Sequence, residues 1–326
     1  MTDSTVNKDE IDLSIEKISK VRQELAKKIT GQERVLHNLV LCMVAQGHAL
    51  LEGMPGLAKT LIAKTLAAAV SVPFSRVQFT PDLLPGDIIG TVVFNPKVSG
   101  FETRKGPIFT GIFLADEINR SPSKVQSALL QAMEERIVTI GDTTFTLDSP
   151  FMVMATENPI DQEGTYQLPE AQMDRFLMKI MIDYPEKEHE VMVLTQHGST
   201  QSEKINAVIS GEELQSISAL AEKVHVEDRL KEYIVNLVRY TRPAGQATEV
   251  SGYISYGASP RASLALLKAS RVNAMLDGRS FVVPEDIHGI LSEVLRHRIV
   301  LSFEAMSEDV QISSVIDTIR ESVEVP

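Results

Sequence analysis

At 326 residues, with 43% hydrophobic and 23% charged residues, the chain is long enough for two domains, each with its own core. A formal net charge of −12 argues against a surface built broadly for nucleic acid or anionic lipid, while leaving room for a local basic channel. The single cysteine, Cys42, excludes an intramolecular disulfide and a cysteine zinc cluster; it lies among Leu39, Val40, Leu41 and Met43, as a core residue would. No apolar run approaches bilayer length, and the polar, acidic N-terminus lacks a signal-peptide pattern. The expectation is a cytoplasmic protein, not integral to a membrane.

Residues 1–10 are polar and expected to be disordered. Ile15, Ile18, Val21, Leu25 and Ile29 then recur at helical spacing, predicting an amphipathic helix over 11–29. Thr30-Gly31-Gln32 interrupts it before a second helix from about Glu33 to Gln46. Gly31 is either a simple helix break or part of a turn beside an adenine. The stretch from His48 to Thr60 follows. A short apolar run enters a turn with Gly53, Pro55 and Gly56, then leaves through Lys59-Thr60 into Leu61, Ile62, Thr65, Leu66 and Ala69 at helical spacing. Strand, glycine turn and helix opening with Lys-Thr form the context of a phosphate-binding loop. Backbone N–H groups and the positive helix end would face a polyphosphate, Lys59 would supply a point charge, and Thr60 would hold Mg²⁺. The strict pattern has glycine where this chain has Ala58. That position is expected to begin the helix with negative φ, where a methyl group is tolerated. The alternative is an ordinary strand–helix turn.

Phe74 to Phe79 alternates apolar and polar, as a strand does. Pro81, Pro85 and Gly86 mark a loop, and Thr91-Val92-Val93-Phe94 with Gly100-Phe101-Glu102-Thr103 predict a hairpin around Asn95-Pro96-Lys97. Ile112 to Glu117 is a short buried strand ending in two carboxylates. Beside a phosphate loop, Asp116 would hold Mg²⁺ through water and Glu117 would polarise the attacking water; otherwise they form a solvated strand end. Ser121-Pro122 is expected to start a helix, serine as N-cap and proline at the first helical position. A second hairpin spans Ile137 to Thr146 across Gly141-Asp142. Phe151 to Ala155 is a buried strand ending in Thr156-Glu157-Asn158-Pro159. Asn158 would lie near a γ-phosphate and position water, or else it belongs to a plain Asn-Pro turn. Phe176 to Ile182 is the last strand of this part. Helices are predicted at about 186–196, 212–223, 227–241, 260–277 and 284–297, separated by a polar stretch, His197 to Lys204, and a loop, Gly245 to Ser259. Ser259-Pro260 supplies an N-cap and first-turn proline, aiming Arg261 out of a helix N-terminus.

Taken together, these features resemble the AAA+ ATPases, and specifically the MoxR family, from Thr30 to about Ser302 and most densely from Gly53 to Lys179. The segment Gly53-Met54-Pro55-Gly56-Leu57-Ala58-Lys59-Thr60 is similar to that family's phosphate loop. Phe113-Leu114-Ala115-Asp116-Glu117-Ile118-Asn119-Arg120 is similar to its metal and water strand. Ala155 to Pro159, Gly164 to Gln172 and Asp174-Arg175-Phe176 resemble its sensor and finger regions. The resemblance implies an α/β fold: an AAA+ P-loop core with a parallel sheet and inserted β-hairpins, followed by an all-α lid domain. The expected divisions are an N-terminal segment over 1–29, the core over 30–184 and the lid over 185–326. ATP would be bound by the loop through Leu61, with Gly31 beside it. Asn158 would be the first sensor, Arg261 the second, and Arg175 an arginine finger acting on a neighbouring subunit's ATP. Arg120 and Arg136 could also approach a subunit interface, and an arginine such as Arg175 is more often in a surface salt bridge. The family implies a hexameric ring that hydrolyses Mg-ATP to remodel a client protein or complex, often with a von Willebrand factor A domain partner. The competing expectations are the ATPase subunit of a metal-chelatase-like complex and a nucleotide-gated assembly scaffold with little hydrolysis. A nucleic-acid motor is disfavoured, since Lys97, Arg104 and Lys105 are too few for a basic stripe.

Overall fold

The computed structural model describes residues 8–97, 99–159, 166–197, 204–243 and 250–326. The chain before residue 8, most of the 197–204 stretch, the loop start at Gly245, and Gly164-Thr165 lie outside the described residues. The chain divides into two compact units: a sheet unit of Ser19–Arg175 with Ile180–Gln215, and a helical unit of Met1–Ile18, Phe176–Lys179 and Ser216–Pro326.

In chain order the elements begin with α1 (Lys8–Ala26), α2 (Glu33–Val44), β1 (Ala49–Gly53), α3 (Lys59–Ala69), β2 (Phe74–Gln78) and α4 (Pro85–Ile89). The hairpin β3 (Gly90–Asn95) and β4 (Gly100–Lys105) precedes β5 (Ile112–Asp116) and α5 (Ser123–Glu135). The second hairpin, β6 (Ile137–Ile140) and β7 (Thr143–Thr146), is followed by β8 (Met152–Glu157), α6 (Glu170–Met173), β9 (Met178–Ile182), α7 (Lys187–His197) and α8 (Gly211–Glu222).

The main sheet has the order β2-β5-β8-β1-β9, and β2 with β5, β5 with β8, and β1 with β8 pair in parallel. Interior strands of a parallel sheet are covered on both faces and read as continuous apolar runs. Accordingly β5 is buried at every residue and β8 at all but its last, whereas the edge strand β2 alternates and exposes Arg76 and Gln78. This order sets the C-terminal ends of β1, β5 and β8 side by side, the place where open α/β sheets present ligand-binding loops. His48 fixes the entry to β1. Its Nδ1 accepts from Val153 N at 3.0 Å and its Nε2 lies 3.2 Å from Met133 O. Those partners require a neutral ring carrying its proton on Nε2.

Both expected hairpins form. The start of α5 differs by one residue from expectation: Pro122, with ψ 150°, is itself the N-cap and the helix begins at Ser123. Ser121 instead turns its hydroxyl back to Ile118 O at 3.3 Å, closing the turn after β5 rather than capping the helix.

The helical unit contains α9 (Asp228–Tyr240), β10 (Ile254–Tyr256), α10 (Pro260–Leu276), α11 (Pro284–Leu295), β11 (Val300–Leu301), α12 (Phe303–Ser307) and α13 (Ile312–Ser322). α9 buries Leu230, Tyr233, Ile234, Leu237 and Val238, a helical stripe. Ser259 caps α10 by accepting from Arg261 N at 3.1 Å, with Pro260 in the first turn, as expected. At α11 the nearly fully buried Asp286 accepts from Val283 N at 2.8 Å and from both terminal nitrogens of Arg279. His297 and Arg298, beyond the end of α11, donate to the backbone of Phe176 and Leu177: Nε2 to Phe176 O at 3.1 Å, Arg298 Nη2 to Phe176 O at 2.6 Å and Nη1 to Leu177 O at 3.2 Å. The small antiparallel pair β10–β11 is an addition that helical periodicity does not announce.

Candidate nucleotide site

The loop after β1 is shaped by backbone constraints. A Cβ at Gly53 would lie 2.6 Å from Ile182 O, so β9 requires glycine there, and Gly56 has φ +88°. Ala58 also lies in the left-handed region, at φ 57° and ψ 17°. This overturns the expected negative φ: Ala58 is the N-cap that precedes α3, not its first residue. The glycine of the strict pattern therefore has a conformational reason, and alanine occupies the position under strain. Ala58 offers no side-chain cap to the first-turn N–H groups of α3.

Pro55, Gly56, Leu57, Ala58, Lys59, Thr60 and Leu61 line one side of a cavity of about 430 Å³, with Arg76, Gln78, Asp116, Glu117 and Asn158 around the rest. Lys59 Nζ donates to Gly53 O at 2.5 Å. Burial pushes its ammonium below the ordinary lysine value, while Asp116, Glu117 and Glu52 pull it back up.

The carboxylates sit in a closed hydrogen-bond circuit. Arg76 Nε and Nη2 donate to Asp116 Oδ2 at 2.9 and 2.7 Å. The fully buried Thr156 hydroxyl donates to Asp116 Oδ1 at 2.7 Å and accepts from Glu117 N at 2.8 Å. Gln78 Nε2 donates to Glu117 Oε2 at 2.7 Å, and Arg76 Nη2 to Gln78 Oε1 at 2.9 Å. Arg120 Nη1 adds an ion pair to Glu117 Oε2 at 3.2 Å. Glu117 itself is held at φ 56°, the kind of backbone strain that collects at functional positions. Sequence pattern does not single out Arg76, Gln78 or Thr156 as site residues. Its available signals were two polar residues two apart on one face of an edge strand, and a hydroxyl closing an apolar run.

The other candidates lie elsewhere. Arg175 pairs with Glu134 at 2.9 Å and does not line the cavity. Arg136 donates to Phe151 O at 2.6 Å and Gln46 O at 3.1 Å and lies over the Phe151 ring, an assignment to backbone carbonyls within its own unit. Arg261 belongs to the helical unit, exposed in the first turn of α10. Gly31, at φ +75°, packs against His189, whose Cγ a Cβ would approach to 2.7 Å; neither it nor Met54 lines the cavity. Gln126, fully buried, shares its two Nε2 hydrogens among Ile118 O, Ser121 O and Tyr166 O, all within hydrogen-bond distance, which ties the turn after β5 to the segment at Tyr166.

A glycine loop opening a helix, an acidic strand tip beside it and a helical unit are arranged as in the AAA class of ATPases, and similarity to known proteins bears this out. The family model for the ATPase family associated with various cellular activities (AAA) matches residues 48–178, and the model for the AAA lid domain matches 246–319. Chaperone MoxR1 of Mycobacterium tuberculosis is 43% identical over 305 residues, covering 93% of this chain and 81% of that protein. Protein MoxR of Methylorubrum extorquens is 31% identical, covering 93% and 92%. A solved structure from Cytophaga hutchinsonii, named as a candidate ATPase, superposes with a TM-score of 0.92 at 44% identity over 98% of this chain and 97% of its own. The chain belongs to the MoxR family of AAA+ ATPases. Among the described residues no helix is long and apolar enough to cross a membrane.

Proposed function

We propose that this chain is a Mg-ATP-dependent hydrolase acting as a chaperone-like remodeller in the maturation or activation of protein complexes. The observation that carries the reading is the convergence of Lys59, Thr60, Asp116, Glu117 and Asn158 on one cavity at the mouth of the glycine loop. The donor chemistry suits magnesium. Thr60 and Asp116 offer hard oxygen ligands on the cavity wall. An ion held by so few protein ligands takes the rest from phosphate and water, as magnesium does. When bound, it neutralises charge on the outer phosphates.

The loop N–H groups and Lys59 hold the β- and γ-phosphates. Glu117 accepts a hydrogen bond from the attacking water and orients it, and Asn158 fixes the position of the water or the γ-phosphate. Arg261 serves as the second sensor. An arginine of a neighbouring copy, Arg175 first among candidates, stabilises the charge that develops in transfer. Breaking the Glu134 pair would free it for that role. A head-to-tail arrangement that closes on itself gives a homo-hexameric ring. The remodelled client is a protein or protein complex, engaged with a von Willebrand factor A domain partner in the cytoplasm. Exposed apolar residues on the β3–β4 hairpin support a protein client: Phe94 and Phe101 are 56% and 77% exposed and pair edge to face across the strands. The name of the mycobacterial relative, a chaperone, supports the same direction.

The test is steady-state ATP hydrolysis against protein concentration, with sedimentation in parallel, for the wild type and Glu117→Gln. Specific activity is expected to rise as oligomers form, and the variant to bind ATP without turning it over. ATP binding with negligible turnover, independent of assembly, would refute the hydrolase and leave a nucleotide-gated scaffold.

A further inference from the structure

Asp116 has both oxygens engaged, by groups of very different permanence. Oδ1 accepts from Thr156, whose hydroxyl is fully buried and also receives the backbone N–H of Glu117, so this partner cannot leave without breaking the turn after β5. Oδ2 accepts twice from Arg76, a side chain 46% exposed on the edge strand β2 and lining the same cavity as the loop. Both guanidinium donors converge on Oδ2, the oxygen that Thr156 does not engage. The register of Gln78 against Asp116 puts Arg76 within reach, and Gln78 steadies it through Nη2.

We propose that Arg76 is a removable counter-ion that holds the Asp116 metal position closed until a nucleotide arrives. The proposal rests on the reading of Asp116 as a metal-holding carboxylate. A divalent ion drawn to Asp116 meets the positive guanidinium first, so metal without nucleotide is opposed by like charge. A polyphosphate entering the cavity offers the guanidinium another anion, and the tether on β2 lets it swing while staying in the cavity. Metal admission thereby becomes conditional on nucleotide. An ordinary surface ion pair would be worth little to stability and would have no effect on divalent-ion affinity beyond bulk charge. Arg76 is thus a positioning residue, argued to act through Asp116.

The experiment measures binding of Mn²⁺, as a paramagnetic stand-in for Mg²⁺, by the free-ion electron paramagnetic resonance signal of the full chain, with and without a non-hydrolysable ATP analogue. Proteins are the wild type, Arg76→Met, Asp116→Asn and the double variant, each checked for an unchanged circular dichroism spectrum; Arg76→Gln replaces Arg76→Met if the latter fails to fold. Removing one positive charge a few ångström from a divalent ion is expected to tighten nucleotide-free Mn²⁺ binding by about tenfold or more. The gain should vanish in the double variant and shrink when the analogue is present. Equal Mn²⁺ affinity of wild type and Arg76→Met without nucleotide overturns the counter-ion role, provided Asp116→Asn weakens binding in the presence of the analogue. If Asp116→Asn leaves that analogue-dependent binding unchanged, the reading of Asp116 fails, and the counter-ion proposal falls with it.

Discussion

Replacing Thr156 by valine keeps the shape of a fully buried side chain and deletes one hydroxyl. That hydroxyl satisfies two groups at once, the N–H of Glu117 at 2.8 Å and Oδ1 of Asp116 at 2.7 Å. Leaving a buried N–H unpaired costs about 1–3 kcal/mol, and the carboxylate loses one hydrogen bond of the charged kind as well. Valine recovers about 0.8 kcal/mol through its extra methyl. The net expectation is a loss of about 2 kcal/mol. For a sheet unit built from Ser19–Arg175 and Ile180–Gln215, that lowers the melting temperature by about 6 °C. Differential scanning calorimetry is the assay, because two units need not melt together and each transition must be followed separately. Thr156→Ser retains the hydroxyl and should restore most of the loss. A Thr156→Val melting temperature within about 1 °C of wild type would refute the reasoning, since the hydroxyl would then hold neither group in solution.

Ala58→Gly removes a methyl from a left-handed residue at φ 57°; relief of about 1 kcal/mol is partly offset by the freer unfolded chain, so stability should rise slightly and nucleotide affinity persist, read by melting and by titration with a fluorescent nucleotide. His297 is buried and pushed well below the ordinary histidine value, first by desolvation and then by the neighbouring Arg298 charge. Its folded form stays neutral while the unfolded chain takes up a proton below about pH 6.5. Its contribution is therefore present above that pH and lost as pH falls, by at most about 1.4 kcal/mol per unit. Melting curves from pH 7.5 to 5 should show the slope in wild type and a shallower one in His297→Gln. Arg279→Met strips the buried Asp286 carboxylate of its two guanidinium donors, and a loss of about 3 kcal/mol in the helical unit is expected by urea unfolding; an effect under about 0.5 kcal/mol would show that α11 does not depend on the pair.

Local chemistry made much of the architecture legible. The run into Gly53, the turn at Pro55-Gly56 and the Lys59-Thr60 opening identify the loop because each residue type answers a constraint of its own segment, and β1 and α3 form there. The two hairpins and the apolar strands β5 and β8 are equally local. The short elements α4, α6 and α12 span less than two turns each, too little for a helical period to show, and α13 lies beyond the last helix that periodicity identified.

What the sequence determined by itself is therefore the inventory: a glycine loop opening a helix, a carboxylate-tipped strand, a polar strand end at Asn158 and a helical second unit. Which of these side chains meet was decided by tertiary structure. The pairing of Gln78 with Asp116 and of Ala115 with Ala155 brings Arg76, Gln78 and Thr156 to the two carboxylates from strands far apart in the chain. The same folding assigns Arg136 to backbone carbonyls and turns Ala58 left-handed. The physical reason is that strand register is a property of the whole sheet, set by how many residues can be buried at once, and no single segment carries it.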